Sequence, residues 1–222
     1  FPYYDDFNPE KGFHRVLFKP GFAVQARELT QVQTILQEQI RRFGDHIFKD
    51  GSVVVGCAES FNFSFPYVKV TDTDAFGGAI SDSLLLSQEG LTVTGENFGV
   101  QAKIKKVASG DEGNSPNLKT LYVQYTATGT DNETTRFGVG ETLTVLETGQ
   151  TLVVAGSAET PVGFGSLFSV DNGIVYADGS FIVHNTQTVI IDRYSTSPTS
   201  KIGFIVNENI INSDDDESLF DP

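Results

Sequence analysis

Residues 25–56 read QARELTQVQTILQEQIRRFGDHIFKDGSVVVG, and hydrophobic residues recur along them at the spacing of one helix face. The stripe comprises Leu29, Val32, Leu36, Ile40 and Phe43, and Ile35 widens it. The pattern predicts a helix over residues 25–43 that ends at Gly44, because glycine suits the left-handed position after a helix. We expect the stripe to be buried, either on the chain's own sheet or on equivalent helices of sister chains. Its spacing permits a short coiled-coil seam with Gln39 at a core position.

Composition excludes several classes of function. The chain has 222 residues, of which 39% are hydrophobic, so it can bury a core. A net charge of −14 with only 15 Lys and Arg argues against nucleic acid as a partner, since phosphate binding requires clustered cations. No apolar run approaches the roughly 18 residues of a membrane span, so we expect no membrane insertion. Cys57 is the only cysteine, which rules out an intrachain disulfide and favours a small buried hydrophobe.

The first 22 residues are rich in aromatic side chains and are interrupted by prolines at positions 2, 9 and 20. Proline at this density prevents a continuous helix or a central strand, so residues 1–22 are predicted to form an extended arm. We expect the arm to contact a neighbouring chain through exposed aromatic rings; an arm folded on its own domain is the alternative. The candidate assembly residues of the arm are Tyr3, Tyr4, Phe7, Phe13 and Phe18.

The middle of the chain alternates apolar and polar residues in short runs separated by turn residues, which is typical of strands in a small barrel or sandwich. The predicted strands are 67–72, 91–95, 101–107, 120–127, 141–147 and 151–156, followed by 189–194 and 201–206. Two similar phrases, IFKDGSVVVG at 47–56 and VYADGSFIVH at 175–184, each predict a hairpin around Asp-Gly.

These patterns predict a mainly β fold with one prominent amphipathic helix. We expect a small β-barrel or sandwich module over residues 75–165, inserted in a flanking α+β unit that comprises residues 23–74 and 166–212 and would serve as the anchor. The run SDDDESLFDP contains four adjacent acidic residues. We interpret residues 213–222 as an acidic linker and expect further protein beyond Pro222.

Candidate catalytic and metal-binding motifs are weak. His14, His46 and His184 share no ligand spacing, and Asp214–Glu217 lack the central glycine of a calcium loop. The phrases FGVGE at 137–141 and VGFGS at 162–166 lack the Lys-Ser/Thr ending of a phosphate loop. No nucleophile lies in a recognisable motif. We therefore predict no catalytic, cofactor-binding or metal-binding residue, no cofactor and no enzymatic activity.

The run from Tyr4 to Val54 resembles the N-terminal region of large virion structural proteins of contractile-tailed bacteriophages, especially those that infect cyanobacteria. That family carries the phrases "FxPGxAVQARELxxLQ" and "RFGxHIFKxGSVV". The matching residues here are Phe18, Pro20, Gly21, Ala23 to Leu29 and Gln33, followed by Arg42 to Val54.

The resemblance implies a non-catalytic part of the phage baseplate or of the tail-fibre attachment region, made in the host cytoplasm and located in the virion. Its partners would be other tail proteins and further copies of the chain. A glycan-binding β-module of an adsorption apparatus is the alternative, and it would use host surface glycan as its ligand. An assembly component should bury its arm and helix against other chains, whereas a glycan-binding module should present a concave aromatic patch.

Overall fold

A computed structural model describes residues 4–110 and 118–220 of the chain. Two helices and eleven strands follow one another within these described residues. The elements are α1 (Ala26–Ile47), β1 (Ser52–Gly56), β2 (Glu59–Val70), α2 (Asp82–Leu86), β3 (Thr92–Gly95), β4 (Gln101–Ala108), β5 (Lys119–Ala127), β6 (Thr142–Val145), β7 (Thr151–Val153), β8 (Val162–Val170), β9 (Gly173–Ala177), β10 (Ser180–His184) and β11 (Gln187–Asp192). Short 3₁₀ turns occupy Pro9–Lys11, Ser157–Glu159 and Glu217–Leu219.

The described chain forms two compact units. We call residues 4–58, 171–186 and 202–220 the helical unit, and residues 59–170 and 187–201 the sheet unit. About 35% of the structure is strand and 17% is helix, so the predicted class, mainly β with one prominent helix, is confirmed.

The sheet unit contains one antiparallel sheet of eight strands in the order β11-β8-β2-β5-β4-β3-β6-β7, curled into a half-barrel. Its inner face carries alternate apolar residues of the strands, as the period-two pattern predicts. The short helix α2 adds Leu85 to this core. Fully buried members include Val68, Val70, Val93, Ile104, Leu121, Val123, Leu143, Val145 and Leu152.

The helical unit contains α1 and a three-stranded antiparallel sheet in the order β1-β9-β10. The predicted hairpin at 175–184 is confirmed, because β9 and β10 pair around Asp178-Gly179. Both turn residues have positive φ, 49° and 75°, as a two-residue turn of the I′ type requires. The predicted hairpin at 47–56 is wrong. Residue 47 is still helical there, and β1 pairs with β9 instead of a neighbouring strand.

Two further features differ from the sequence prediction. The compact units divide the chain at residues 58/59 and 170/171, whereas boundaries at 75 and 165 were expected. Strands β2 and β8 pair with each other from Glu59–Val170 to Val68–Val162, so one sheet extends past both predicted boundaries. Independent folding of the middle region stays a prediction. The strand predicted at 201–206 does not form, and these residues are exposed and without regular structure.

Candidate assembly surface

Helix α1 begins with a capping box and approaches the sheet of its own unit very closely near its end. The Gln25 N–H donates to the Glu28 carboxylate over 2.9 Å at the first turn. Near the other end, Gly44 is buried, and a Cβ added to it would lie 2.4 Å from Cε2 of Tyr176. The prediction that Gly44 ends the helix is therefore wrong, because the helix continues to Ile47. Glycine is needed at this position for close contact with an aromatic ring.

Tyr176 connects the sheet to the helix. Its hydroxyl donates to the Arg41 carbonyl at 3.0 Å or to the Asp45 carboxylate at 2.7 Å, and its ring packs against Phe48 and Phe181. Burial of the hydroxyl, together with the hydrogen bond to Asp45, raises the pKa of Tyr176 to about 12. The phenol is thus a neutral donor at physiological pH, and it fixes the last turns of α1 on β9.

The predicted apolar stripe of α1 is not covered by the chain's own sheet. Leu29, Leu36, Ile40 and Phe43 lie in one row together with Ile47, a residue that the sequence pattern assigns to a strand. These five residues retain 51–64% of their accessible surface, whereas Val32 is partly buried and Ile35 is fully buried. The expected burial of the stripe on its own sheet is therefore wrong. The sheet contacts the helix near Gly44 instead, because only there can the backbone approach the Tyr176 ring.

Charged residues of α1 lie away from the apolar row. The Glu38 carboxylate accepts from Arg41 Nε and from Arg42 Nε, each at 2.7 Å, and Arg41 also contacts Asp45 at 2.6 Å. These hydrogen bonds from the two guanidinium groups lower the pKa of Glu38 to about 2. The same pairing raises the pKa of Arg41 further above its usual value.

The low pKa of Glu38 predicts a pH-dependent contribution to stability. The carboxyl group titrates near its ordinary value of 4.5 when the chain is unfolded and near 2 when it is folded. Its contribution is therefore complete above about pH 4.5 and is lost as the pH falls towards 2. We expect Glu38→Gln to be less stable than the native chain at pH 7 and the difference to shrink by pH 3 in denaturant titrations. A constant difference between the two proteins would contradict this assignment.

The N-terminal arm lies along α1. The Asp5 carboxylate accepts a hydrogen bond from the Thr34 hydroxyl, and Asp6 pairs with Arg27 at 3.3 Å. Further along, a small groove forms between the arm and the helix. It is lined by Phe7, Pro9, Gly12, Phe13, His14, Glu38, Gln39 and Arg42. Apart from the 3₁₀ turn at Pro9–Lys11, residues 4–24 form neither helix nor strand, and the extended arm stays a prediction.

Most large apolar side chains of the arm point to solvent. Of the predicted arm residues, Phe7 is partly buried, whereas Tyr4, Phe13 and Phe18 are exposed, and Tyr3 lies outside the described residues. Leu17 and Phe22, which the sequence analysis did not select, are exposed as well. The arm is thus held by polar contacts at its start and presents apolar groups outwards. Together with the apolar row of α1, it forms what we call the assembly surface.

Cys57 and His184 are near enough to each other to be considered as a thiol–imidazole catalytic pair. Their Sγ and Nε2 atoms are 3.1 Å apart, and His184 Nδ1 lies 3.0 Å from the Asn185 carbonyl. Since a carbonyl only accepts, Nδ1 carries a proton and Nε2 faces the sulfur. Cys57 retains only 6% of its surface, which confirms the predicted buried cysteine and leaves little access for a substrate. Cys57 itself has a positive φ of 56° directly after β1, so it lies at a structured turn of the chain.

The glycine-containing phrase at 137–141 and the acidic run near residue 215 show no arrangement that would bind a phosphate or a metal ion. Residues 137–141 form a turn in which the Glu141 carboxylate accepts from the Gly138 and Asn97 N–H groups. The acidic run Asp214–Glu217 is exposed. Within residues 4–110 and 118–220, no group of three or more His, Cys, Asp or Glu could hold a metal ion. In the same ranges, no helix is both long and apolar enough to cross a membrane.

The chain matches the model of a described protein family. The family described as "Domain of unknown function (DUF4815)" matches residues 2–136, which contain the arm, α1 and the first half of the sheet unit. No curated protein and no solved structure matches the chain. Because the matched region covers more than half of the sequence, the chain belongs to the DUF4815 family.

Proposed function

We propose that this chain is a non-catalytic structural component of a phage tail, in the baseplate or the tail-fibre attachment region. It assembles through its N-terminal arm and α1. The observation that carries the proposal is the row of five large apolar residues on α1 that its own chain leaves exposed. The resemblance of Tyr4 to Val54 to virion proteins of contractile-tailed phages concerns the same part of the chain.

The exposed apolar residues of α1 and of the arm belong to one unit and support a role in binding. A single exposed leucine needs no explanation, but contiguous apolar patches on soluble proteins usually mark sites of interaction. Full burial of a large apolar side chain is worth roughly 1.5–3 kcal/mol, and because these side chains retain about half of their surface, covering each of them would contribute about half of that. Covering the whole row together with the arm would still favour association. Catalysis does not account for this surface, because it lacks an enclosed arrangement of titratable groups.

The test is incorporation of variants into phage particles. Leu36 and Leu146 have similar exposed fractions, 59% and 55%, but Leu146 belongs to the sheet unit and is not one of the residues of the assembly surface. We expect Leu36→Asp to fold and yet to fall to about a tenth of native occupancy in purified particles, while Leu146→Asp incorporates normally. Each charge placed at a buried contact costs several kcal/mol, which supports a loss of this size.

Two outcomes would contradict the proposal. One is native occupancy of Leu36→Asp in particles, measured by quantitative mass spectrometry against a core tail protein. The other is absence of the unaltered chain from purified particles. Circular dichroism of both variants separates a loss of assembly from a loss of folding.

A glycan-binding role for the sheet unit is the second candidate, and one observation favours it. Phe61 and Phe63 are exposed, and their rings stack with centroids 5.9 Å apart. Apolar ring faces of this kind can contact sugar rings. If this role is correct, alanine at both positions should reduce adsorption of fully assembled particles to host cells. Adsorption at the native rate would remove the support for this candidate.

A further inference from the structure

The exposed row of α1 follows a heptad repeat. In the usual lettering, Leu29, Leu36 and Phe43 occupy d positions, and Gln33, Ile40 and Ile47 occupy a positions. All six residues are exposed. The alternation of three- and four-residue steps over three heptads is the pattern of a coiled-coil seam, whereas a helix that packs on a sheet of its own chain needs only a broad apolar stripe. The sequence pattern alone permits Gln39 at a core position, whereas a seam that includes Ile47 puts Gln33 at an a position and Gln39 at a g position.

Charges are excluded from the seam and from both of its flanks. The e positions are Thr30, Gln37 and Gly44, and the g positions are Val32, Gln39 and His46. The charged residues of α1 all occupy the b, c or f positions: Arg27, Glu28, Glu38, Arg41, Arg42 and Asp45. A chain with a net charge of −14 repels its copies, so a contact between identical surfaces is favoured on a face without charge. If the partner were a positively charged protein, we would expect acidic residues of α1 at the e and g positions.

Gln33 distinguishes the two orientations of a helix pair. In a parallel, in-register pair it meets Gln33 of the second copy, and the two side-chain amides can hydrogen-bond to each other. In an antiparallel pair with the same seam it meets Phe43, which leaves a buried amide opposite a phenyl ring. A single polar residue at an a position commonly fixes register in this way.

We infer that the α1 seam binds α1 of a second copy of this chain, with the two helices parallel and in register at Gln33. This inference rests on the proposed function, because the α1 seam is part of the assembly surface and the second copy is the partner that we assign to it. The arm then remains available for a different neighbour in the same assembly.

Disulfide cross-linking of the full chain tests orientation and partner together. Gln33→Cys is expected to form a disulfide-linked dimer under mild oxidation, whereas Arg42→Cys, on the charged face, is not. The native chain is the second control, because its only cysteine, Cys57, is buried. Mixing Gln33→Cys with a size-tagged Phe43→Cys should give few mixed dimers, since residues 33 and 43 meet only in the antiparallel arrangement.

Native mass measurement completes the test. The unaltered chain and Leu146→Asp are expected to contain more than one copy, and Leu36→Asp is expected to be a single chain. Mixed 33–43 dimers as the main product would overturn the parallel arrangement. A monomeric native chain without cross-links would overturn self-association altogether. If such a monomer still enters particles and Leu36→Asp does not, the seam binds another tail protein, and the proposed function stands without this inference.

Discussion

Replacing Gly44 by valine is expected to destabilise the helical unit by about 3 kcal/mol, at the upper end of the usual cost of overpacking. The new Cβ would lie 2.4 Å from Cε2 and 2.6 Å from the hydroxyl oxygen of Tyr176, so the ring must move. Movement of the ring breaks the hydrogen bonds to Arg41 and Asp45 and separates the helix from β9. The effect should appear as an early loss of the helical circular-dichroism signal during thermal unfolding.

Gly203→Val is the matched control for this substitution. Gly203 belongs to the same unit, has no positive φ, and has open space around the position of an added Cβ. Its replacement should change the free energy of unfolding by less than about 0.5 kcal/mol, as is usual for surface positions. Equal stability of the Gly44 and Gly203 variants would show that the helix does not depend on the contact with Tyr176.

Removing residues 1–22 is expected to leave the sheet unit folded and to reduce incorporation into particles at least tenfold. The arm carries several exposed aromatic rings that no other described part of the helical unit covers. Its deletion also removes the contacts of Asp5 and Asp6 with α1, so a moderate loss of stability in the helical unit accompanies the loss of assembly. Denaturant unfolding and particle occupancy measure the two effects separately.

A milder variant separates these two roles of the arm. Replacing Phe18 and Phe22 by serine keeps the polar contacts at the start of the arm and removes only exposed rings that do not line the groove between the arm and α1. This variant should be as stable as the native chain and as poorly incorporated as the deletion. If it enters particles at normal occupancy, the arm serves local packing on α1 and does not bind a neighbour.

The helix and most strands could be predicted from the sequence because their signals are local. The spacing of Leu29, Leu36, Ile40 and Phe43 indicates a helix, and the alternation in residues 120–127 and 151–156 indicates strands. Which side of the helix would be covered was not predictable from that spacing. It depends on Gly44 meeting Tyr176, a residue far along the chain, and a glycine near a helix end more often marks the end itself.

The errors in the β regions have a similar cause. The phrases around Asp50-Gly51 and Asp178-Gly179 look alike, yet only the second pair has two residues with positive φ. The first follows a helix that extends to Ile47, so no strand precedes it. Residues 201–206 have the composition of a strand, but strand formation requires a free sheet edge in register, which local composition does not specify.

The structure of the tail particle that contains this chain, determined by electron cryo-microscopy, would test most directly whether α1 and the arm bind neighbouring chains. We expect the row from Leu29 to Ile47 to be buried between chains and the arm residues Phe13 and Phe18 to contact a neighbour. A particle structure in which this row and these rings remain in solvent, while the chain is held through other surfaces, would contradict this expectation.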